Sequence, residues 1–368
     1  MTLGSGTLDS GWIEAFTCDL LPGRIVFGAG ALDRIREETE ALRCSRVLVI
    51  AGGSAAQVGE RTVALLQDLV AGTFHEVRQH VPEELAARAV DAARAAAADG
   101  VVTVGGGSTI GLGKVVAATA NVPLIAVPTT YSGSEMTPTY GVTGERKVTR
   151  RDPRALPKTV IYDPELTLGL PGRVTASSGL NALAHCMEAI VGPGANPPAA
   201  LAAREASAIL PGALRSCVRE PRAEEARSDA QYGGFLAARS LALAGTGLQH
   251  TLAHILGGRF KLVHADAHAV LLPHVAALHE REAPAPMSRF AESLGADGSA
   301  SEALHRLAAD TGAPLSLAEL DMPREGIDVV VEDIAGIADQ DVIRALLETA
   351  FEPMMPTITT TTTKGGPS

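Results

Sequence analysis

A chain of 368 residues has room for two domains and a large buried core, and 46% hydrophobic residues with only 3% aromatic suit packed aliphatic helices and buried parallel strands, which excludes a disordered or fibrous protein. The formal net charge of -11 leaves no electrostatic footprint for nucleic acid or an anionic membrane, so a small-molecule partner is expected. Cys18, Cys44, Cys186 and Cys217 are scattered without a CxxC, which excludes a disulfide framework or zinc ribbon and suits a reducing cytoplasm.

Residues up to about Thr17 read as a loose leader that lacks the pattern of a signal peptide, and no apolar stretch approaches the length of a membrane span. Arg24 to Phe27 reads as the first strand and Leu32 to Leu42 as a helix. Arg46 to Ile50 (RVLVI) has the β-branched look of a strand buried on both faces. Helix Ala55 to Val70, strand Phe74 to Val77, helix Pro82 to Ala98 and strand Val101 to Val104 continue the alternation, which predicts a doubly wound α/β domain with right-handed crossovers. Beyond about Leu168 long Ala/Leu/Glu/Arg helices take over, among them Ala199 to Arg219 and Ala223 to Ala244, punctuated by Pro193, Pro197, Pro198 and Pro211. The boundary falls near Leu170-Pro171-Gly172, giving an α/β domain over 1–168, an all-helical domain over 169–355 and a low-complexity tail over 356–368.

Two motifs follow strands of the first domain. In VVTVGGGSTIGLGK, Gly105, Gly106 and Gly107 permit close backbone approach, and a helix starting near Ser108 aims its N-terminal amides at an anion, as a pyrophosphate cradle requires. It is not a P-loop, since Ser108 stands five before Gly113 and Val115 replaces the Mg-binding hydroxyl. A glycine turn needed only for packing is the competing reading. In VPTTYSGSEMTP, Thr129, Thr130, Ser132 and Ser134 place hydroxyls at the same carboxyl edge, where ligands of open α/β folds bind; a polar loop satisfying its own backbone is the bland alternative.

The richest stretch is Gly247 to His274, which holds five of the ten histidines. His250 and His254 stand four apart and leave one helix face about a turn apart. Gly257 and Gly258 are expected to end that helix, and His264 precedes the next helical run from Ala265 to Ala277. Upstream, Asn181 and His185 form a second i,i+4 pair, and these five side chains could converge on one point. His268 and His274 read as satisfied core residues. Cys186 is discounted as a nucleophile because adjacent helical residues diverge by about 100°. Arg150, Arg151 and Lys158 read as a charged surface turn.

Taken in order, GGGSTIGLGK, PTTYSGSEMTP, RDPRALPKTVIYDPELTLGLP, SGLNALAHCMEA and HILGG with HADAHAVLLPHV resemble the maleylacetate reductase family of the iron-containing alcohol dehydrogenase superfamily, over about Phe16 to Phe351. The resemblance implies the two-domain architecture of the dehydroquinate synthase-like proteins: an N-terminal nicotinamide-binding α/β domain, a C-terminal all-α domain, an active site between them and a homodimer. It implies reduction of the carbon-carbon double bond of maleylacetate to 3-oxoadipate in aromatic catabolism. His185, His250 and His264 match the superfamily's metal-ligand positions, but Asn181 replaces the Asp, a poorer ligand that removes one countercharge. No metal is therefore expected. With no metal, His250 and His254 are assigned as donor and proton source, and His185 and His264, protonated, as carboxylate binders.

The second strand ends Ala51-Gly52-Gly53-Ser54, without the carboxylate that would hold a ribose diol, so NADH and NADPH both fit the sequence. Two other functions share the plan. A metal-dependent alcohol or polyol dehydrogenase would need iron or zinc despite Asn181, and a sugar-phosphate cyclase of the dehydroquinate synthase type would need a carboxylate ligand and several cations for a phosphate.

Overall fold

β-Branched and aliphatic runs become strands here where both faces are covered. The computed structural model describes residues 23–144 and 147–356; the leader and all but the first residue of the tail lie outside them. The first half alternates β1 (Arg24–Phe27), α1 (Ile35–Ala41), β2 (Val47–Ala51), α2 (Ala56–Leu66), β3 (Val70–Phe74), α3 (Glu83–Ala95), β4 (Gly100–Gly105), α4 (Gly107–Ala120) and β5 (Leu124–Pro128). An antiparallel hairpin, β6 (Thr139–Thr143) and β7 (Lys147–Arg151), precedes β8 (Thr159–Tyr162).

Six strands form one parallel sheet in the order β1-β8-β5-β4-β2-β3. The chain leaves β2 for β3 on one side and returns to β4 on the other, so the carboxyl ends of β2 and β4 flank a topological switch point, where such sheets bind ligands. Strands β2, β4 and β5 are buried along their whole length. Helix α4 lies close on this sheet because Gly113 has no side chain: a Cβ there would stand 2.1 Å from Thr103 Cγ2.

Strand β3 runs over Val70–Phe74 rather than the expected Phe74 to Val77. As a half-exposed edge strand containing Gly72 it lacks the apolar run that marks its neighbours. The hairpin of β6 and β7 was not expected, and Arg150 and Arg151 lie exposed on it.

From Gly172 onward the described chain is helical: α5 (Gly172–Val191), α6 (Pro197–Arg219), α7 (Glu224–Ala244), α8 (Leu248–Phe260), α9 (His264–Glu282), α10 (Pro284–Ser293), α11 (Ala300–Thr311), α12 (Gly326–Asp333) and α13 (Gln340–Phe351). Pro197 begins α6 behind an Asn196 cap that accepts from the Ala199 amide at 3.0 Å, whereas Pro211, expected as punctuation, sits inside the helix. Helices α5 and α9 form the centre, buried over Thr175 to Ala189 and Asp266 to Leu278. Gly179 permits this packing, since a Cβ would meet Leu214 Cδ2 at 2.3 Å. Among the described residues no helix is long and apolar enough to cross a membrane.

Candidate active site

At the end of β4, Gly105 holds φ 151° and Gly106 is the extended N-cap of α4, with no side chain capping the helix. The first amides of α4 thus stay available to an anion. A Cβ on Gly106 would come within 3.2 Å of both Thr130 Oγ1 and Cγ2, and one on Gly107 within 3.2 Å of Ser132 Oγ. The two sequence motifs therefore meet: the glycines form the floor of a cradle and Thr130 and Ser132 its wall. Thr129 is buried and its amide donates to Gly105 O at 3.1 Å, which fixes their register. A bare-backbone floor at an uncapped helix start fits the pyrophosphate of a dinucleotide.

Lys114 holds the wall in place. Fully buried on α4, its Nζ donates to Ser134 O, to Ser134 Oγ at 3.2 Å, to Thr137 Oγ1 at 3.1 Å and to Thr139 O at 2.9 Å. Burial pushes this ammonium down to about 7, partly offset by Glu135. Ser134, one of the expected cofactor contacts, accepts from Lys114 through its hydroxyl oxygen. The same loop then carries the cradle to the helical half. Gly133, at φ 78°, lies where a Cβ would be 2.8 Å from His185 Cε1, and Ser132 O accepts from Asn181 Nδ2 at 3.4 Å.

Three helices each project a side-chain pair at i,i+4 spacing into one place: Asn181 and His185 from α5, His250 and His254 from α8, His264 and His268 from α9. The rings of His185 and His250 stack with centroids 5.0 Å apart, and those of His254 and His264 do likewise at 5.0 Å. His268 stands edge-on to His250 at 4.4 Å and to His264 at 4.5 Å. The expectation that His268 is a satisfied core residue is thus overturned; it completes the cluster. His185, His250 and His268 are buried, while His254 and His264 are half-buried at the mouth.

Glu188 was missed. It lies one turn beyond His185 on α5, buried, and its carboxylate bonds His250 Nδ1 and accepts from the His250 amide at 3.1 Å. Burial alone would raise this carboxyl, but His250 and the amides of Gly247 and His250 hold it below the usual carboxylate range. Gln249 is a second omission: its Nε2 donates to His268 O at 3.1 Å and lies 3.2 Å from His268 Nδ1. Because the carbonyl requires a donor, Nδ1 is the acceptor, and the His268 proton sits on Nε2, facing the cluster without a hydrogen-bond partner. Asp266 fixes the start of α9 by accepting from Ser177 Oγ at 2.5 Å and Arg173 Nη2 at 3.0 Å.

Burial, reinforced by the neighbouring rings, holds His185 and His268 well below the ordinary histidine range. His185 is therefore neutral, which corrects the expectation of a protonated carboxylate binder at that position: the desolvation cost of a charge there is uncompensated by any acid. Asn181 Oδ1, His185 Nδ1 and Ser132 Oγ are buried without hydrogen-bond partners, so the site is built for polar atoms that the chain itself does not supply. Asn181 offers a neutral amide where a carboxylate would hold a divalent cation better, whereas His250, with Nδ1 bonded to Glu188, keeps Nε2 open as a ligating histidine would.

Two side chains near the cluster stay out of it. Cys186 is fully buried on α5, about 100° around the helix from His185, and burial pushes its thiol up to about 12. His274 is buried two turns beyond the cluster on α9, 3.3 Å from Thr349 Oγ1, and burial, then His305, push it down to about 4. Its folded value lies below the unfolded one, so the unfolded chain binds the proton first and stability falls as pH drops from about 6.5 towards 4. His274→Gln is expected to flatten the acid limb of Tm against pH, by roughly 3 kcal/mol at most across that window; an unchanged limb in paired thermal melts would exclude this.

Known proteins share this sequence pattern and fold. The family model described as iron-containing alcohol dehydrogenase matches residues 22–164, and that described as the C-terminal part of the Fe-containing alcohol dehydrogenase family matches residues 175–357. The chain is 44% identical to the maleylacetate reductase of Burkholderia cepacia, over 94% of this chain and 100% of that one. The crystal structure of maleylacetate reductase from Agrobacterium tumefaciens superposes with a TM-score of 0.88 at 41% identity, covering 94% of this chain and 100% of that chain. That from Rhizobium sp. strain MTP-10005 does so with a TM-score of 0.88 at 42% identity and the same coverage. With its cradle, its linking loop and its cluster of histidines set between a parallel sheet and a helical bundle, this chain belongs to the iron-containing alcohol dehydrogenase family, among its maleylacetate reductases.

Proposed function

We propose that the protein reduces the carbon-carbon double bond of maleylacetate to 3-oxoadipate, using NADH or NADPH and no metal, as a cytoplasmic homodimer. The observation that carries this reading is the Glu188–His250 pair at the centre of five histidine rings, joined by one loop to a dinucleotide cradle. When bound, the reduced nicotinamide supplies a hydride. A plain aldehyde needs a Lewis acid to accept it, whereas a conjugated enone is already electrophilic.

Addition at the alkene carbon distal to the ketone leaves an enolate, and the work of the chain is to hold that negative charge and return a proton. Glu188 accepts from Nδ1 of His250, so Nε2 faces the ketone oxygen and donates to it when both ring nitrogens carry a proton. The neutral His268, with its proton on Nε2, offers a second donor from the buried side. His254, half-buried at the mouth, is placed to return the proton from solvent, and His264 to bind carboxylate. His185 and Asn181 bind as neutral groups. Gly105, Gly106, Gly107, Ser108, Thr129, Thr130 and Ser132 hold the cofactor, with Ser134 acting through Lys114.

The deciding experiment is oxidation of NADH and NADPH by the purified protein with maleylacetate, before and after exhaustive chelation, with metal content measured on the same samples. Turnover is expected to survive chelation. Activity that returns only with added iron or zinc, or only toward simple aldehydes, would identify a metal-dependent alcohol dehydrogenase instead.

A further inference from the structure

The turn leaving β3 lies at the carboxyl edge of the sheet and ends in two consecutive non-glycine residues with left-handed backbone, His80 at φ 61° and Val81 at φ 46°. For β-branched Val81 this is a costly conformation that persists only where neighbours enforce it. Thr143 of β6 enforces it: its Oγ1 donates to His80 O at 2.7 Å and its amide to Val81 O at 3.0 Å.

The pinned turn places one imidazole across the cleft. A Cβ on Gly257 of α8 would stand 3.2 Å from His80 Cε1, so the ring lies on bare helix backbone. Gly257 follows His254 by three residues and His250 by seven, which sets all three on one face of α8. Moving along that face from His250, a ligand meets a buried donor, then half-buried His254, then half-buried His80 from the other half of the molecule. The span is about 10 Å of helix axis, which the two-carbon arm from the ketone to the far carboxylate, with a hydrogen bond of about 3 Å at each end, can bridge.

We propose that His80 is a substrate-binding residue that holds the carboxylate on the far side of the ketone, the acetate end of maleylacetate. The proposal rests on the enone-reductase reading above: if His250 meets the ketone oxygen, the acetate arm leads on toward Gly257. It assigns His80 the choice of a dicarboxylate over an enone acid that lacks this arm.

The test compares maleylacetate with cis-acetylacrylate, which keeps the carboxylate and alkene but ends in a methyl ketone. In His80→Ala the ratio of kcat/KM for maleylacetate over acetylacrylate is expected to fall about ten- to a hundredfold, the loss of one hydrogen bond to a charged group. His80→Gln, which keeps a donor, should recover part of it. Gly257→Ala leaves the turn intact and displaces the ring from the other side, so it should lower the same ratio even if His80→Ala folds poorly. An unchanged ratio in both, or a loss confined to KM for NADH, overturns the assignment of His80 alone. A wild-type protein that oxidises NADH with neither enone acid overturns the enone-reductase reading and this proposal with it.

Discussion

His250→Asn is expected to lower kcat for the enone by about 10² to 10³, the usual cost of removing one donor to a developing oxyanion, while the affinity for reduced nicotinamide stays near wild type. Asparagine is chosen because its amide nitrogen falls near the position of Nδ1 and keeps Glu188 partnered; alanine would strand a buried carboxylate and cost about 3–5 kcal/mol of stability. The substitution thus removes Nε2 and little else. Single-turnover rates with cofactor bound beforehand separate the chemical step from binding. A kcat within about fivefold of wild type, below what one oxyanion donor contributes, would move the donor role to His254 or His268.

Gly106→Val should produce the second large effect, on the cofactor rather than on chemistry. Even a bare Cβ at this position stands 3.2 Å from two atoms of Thr130, and the branched methyls of valine would fill the floor over which the helix amides point. Losing two charge-assisted amide bonds to a pyrophosphate corresponds to a rise in Kd on the order of 10²-fold or more. Titration of nicotinamide fluorescence reads this directly. Unaltered binding would mean that the pyrophosphate lies elsewhere and that the glycines serve packing alone.

How much of this was legible in the residues depended on burial and spacing. The runs at Val47–Ala51, Gly100–Gly105 and Leu124–Pro128 are buried on both faces, and their composition says so. Strand β3 at the edge does not need that composition, and it was displaced by four residues. Gly257 and Gly258 looked like a helix end, yet α8 continues to Phe260 and stops at Lys261 with φ 56°. Glycine there serves the approach of His80 rather than termination, which single-helix reasoning cannot see.

The cluster itself was half visible. His250 with His254 and Asn181 with His185 declared themselves by i,i+4 spacing, but His264 and His268 have the same spacing and were split between site and core. Glu188 had a signal too, one turn after His185 on the same face. Its partner is 62 residues away, and nothing local states that pairing. The protonation of His185 was misjudged for a related reason, since solvent exclusion at a site made by three helices is a tertiary property.

The buried thiols have a consequence for durability. The proposed substrate is a Michael acceptor, and a soft thiolate within reach of it would be alkylated at each encounter. Of the described cysteines, Cys44, Cys186 and Cys217 are all buried, and burial raises each thiol, Cys44 to about 11 and Cys186 to about 12. Cys186 is a single residue from the histidines, yet it is kept protonated and turned into the apolar packing behind them. These three thiols are thereby withheld from a pool of electrophiles.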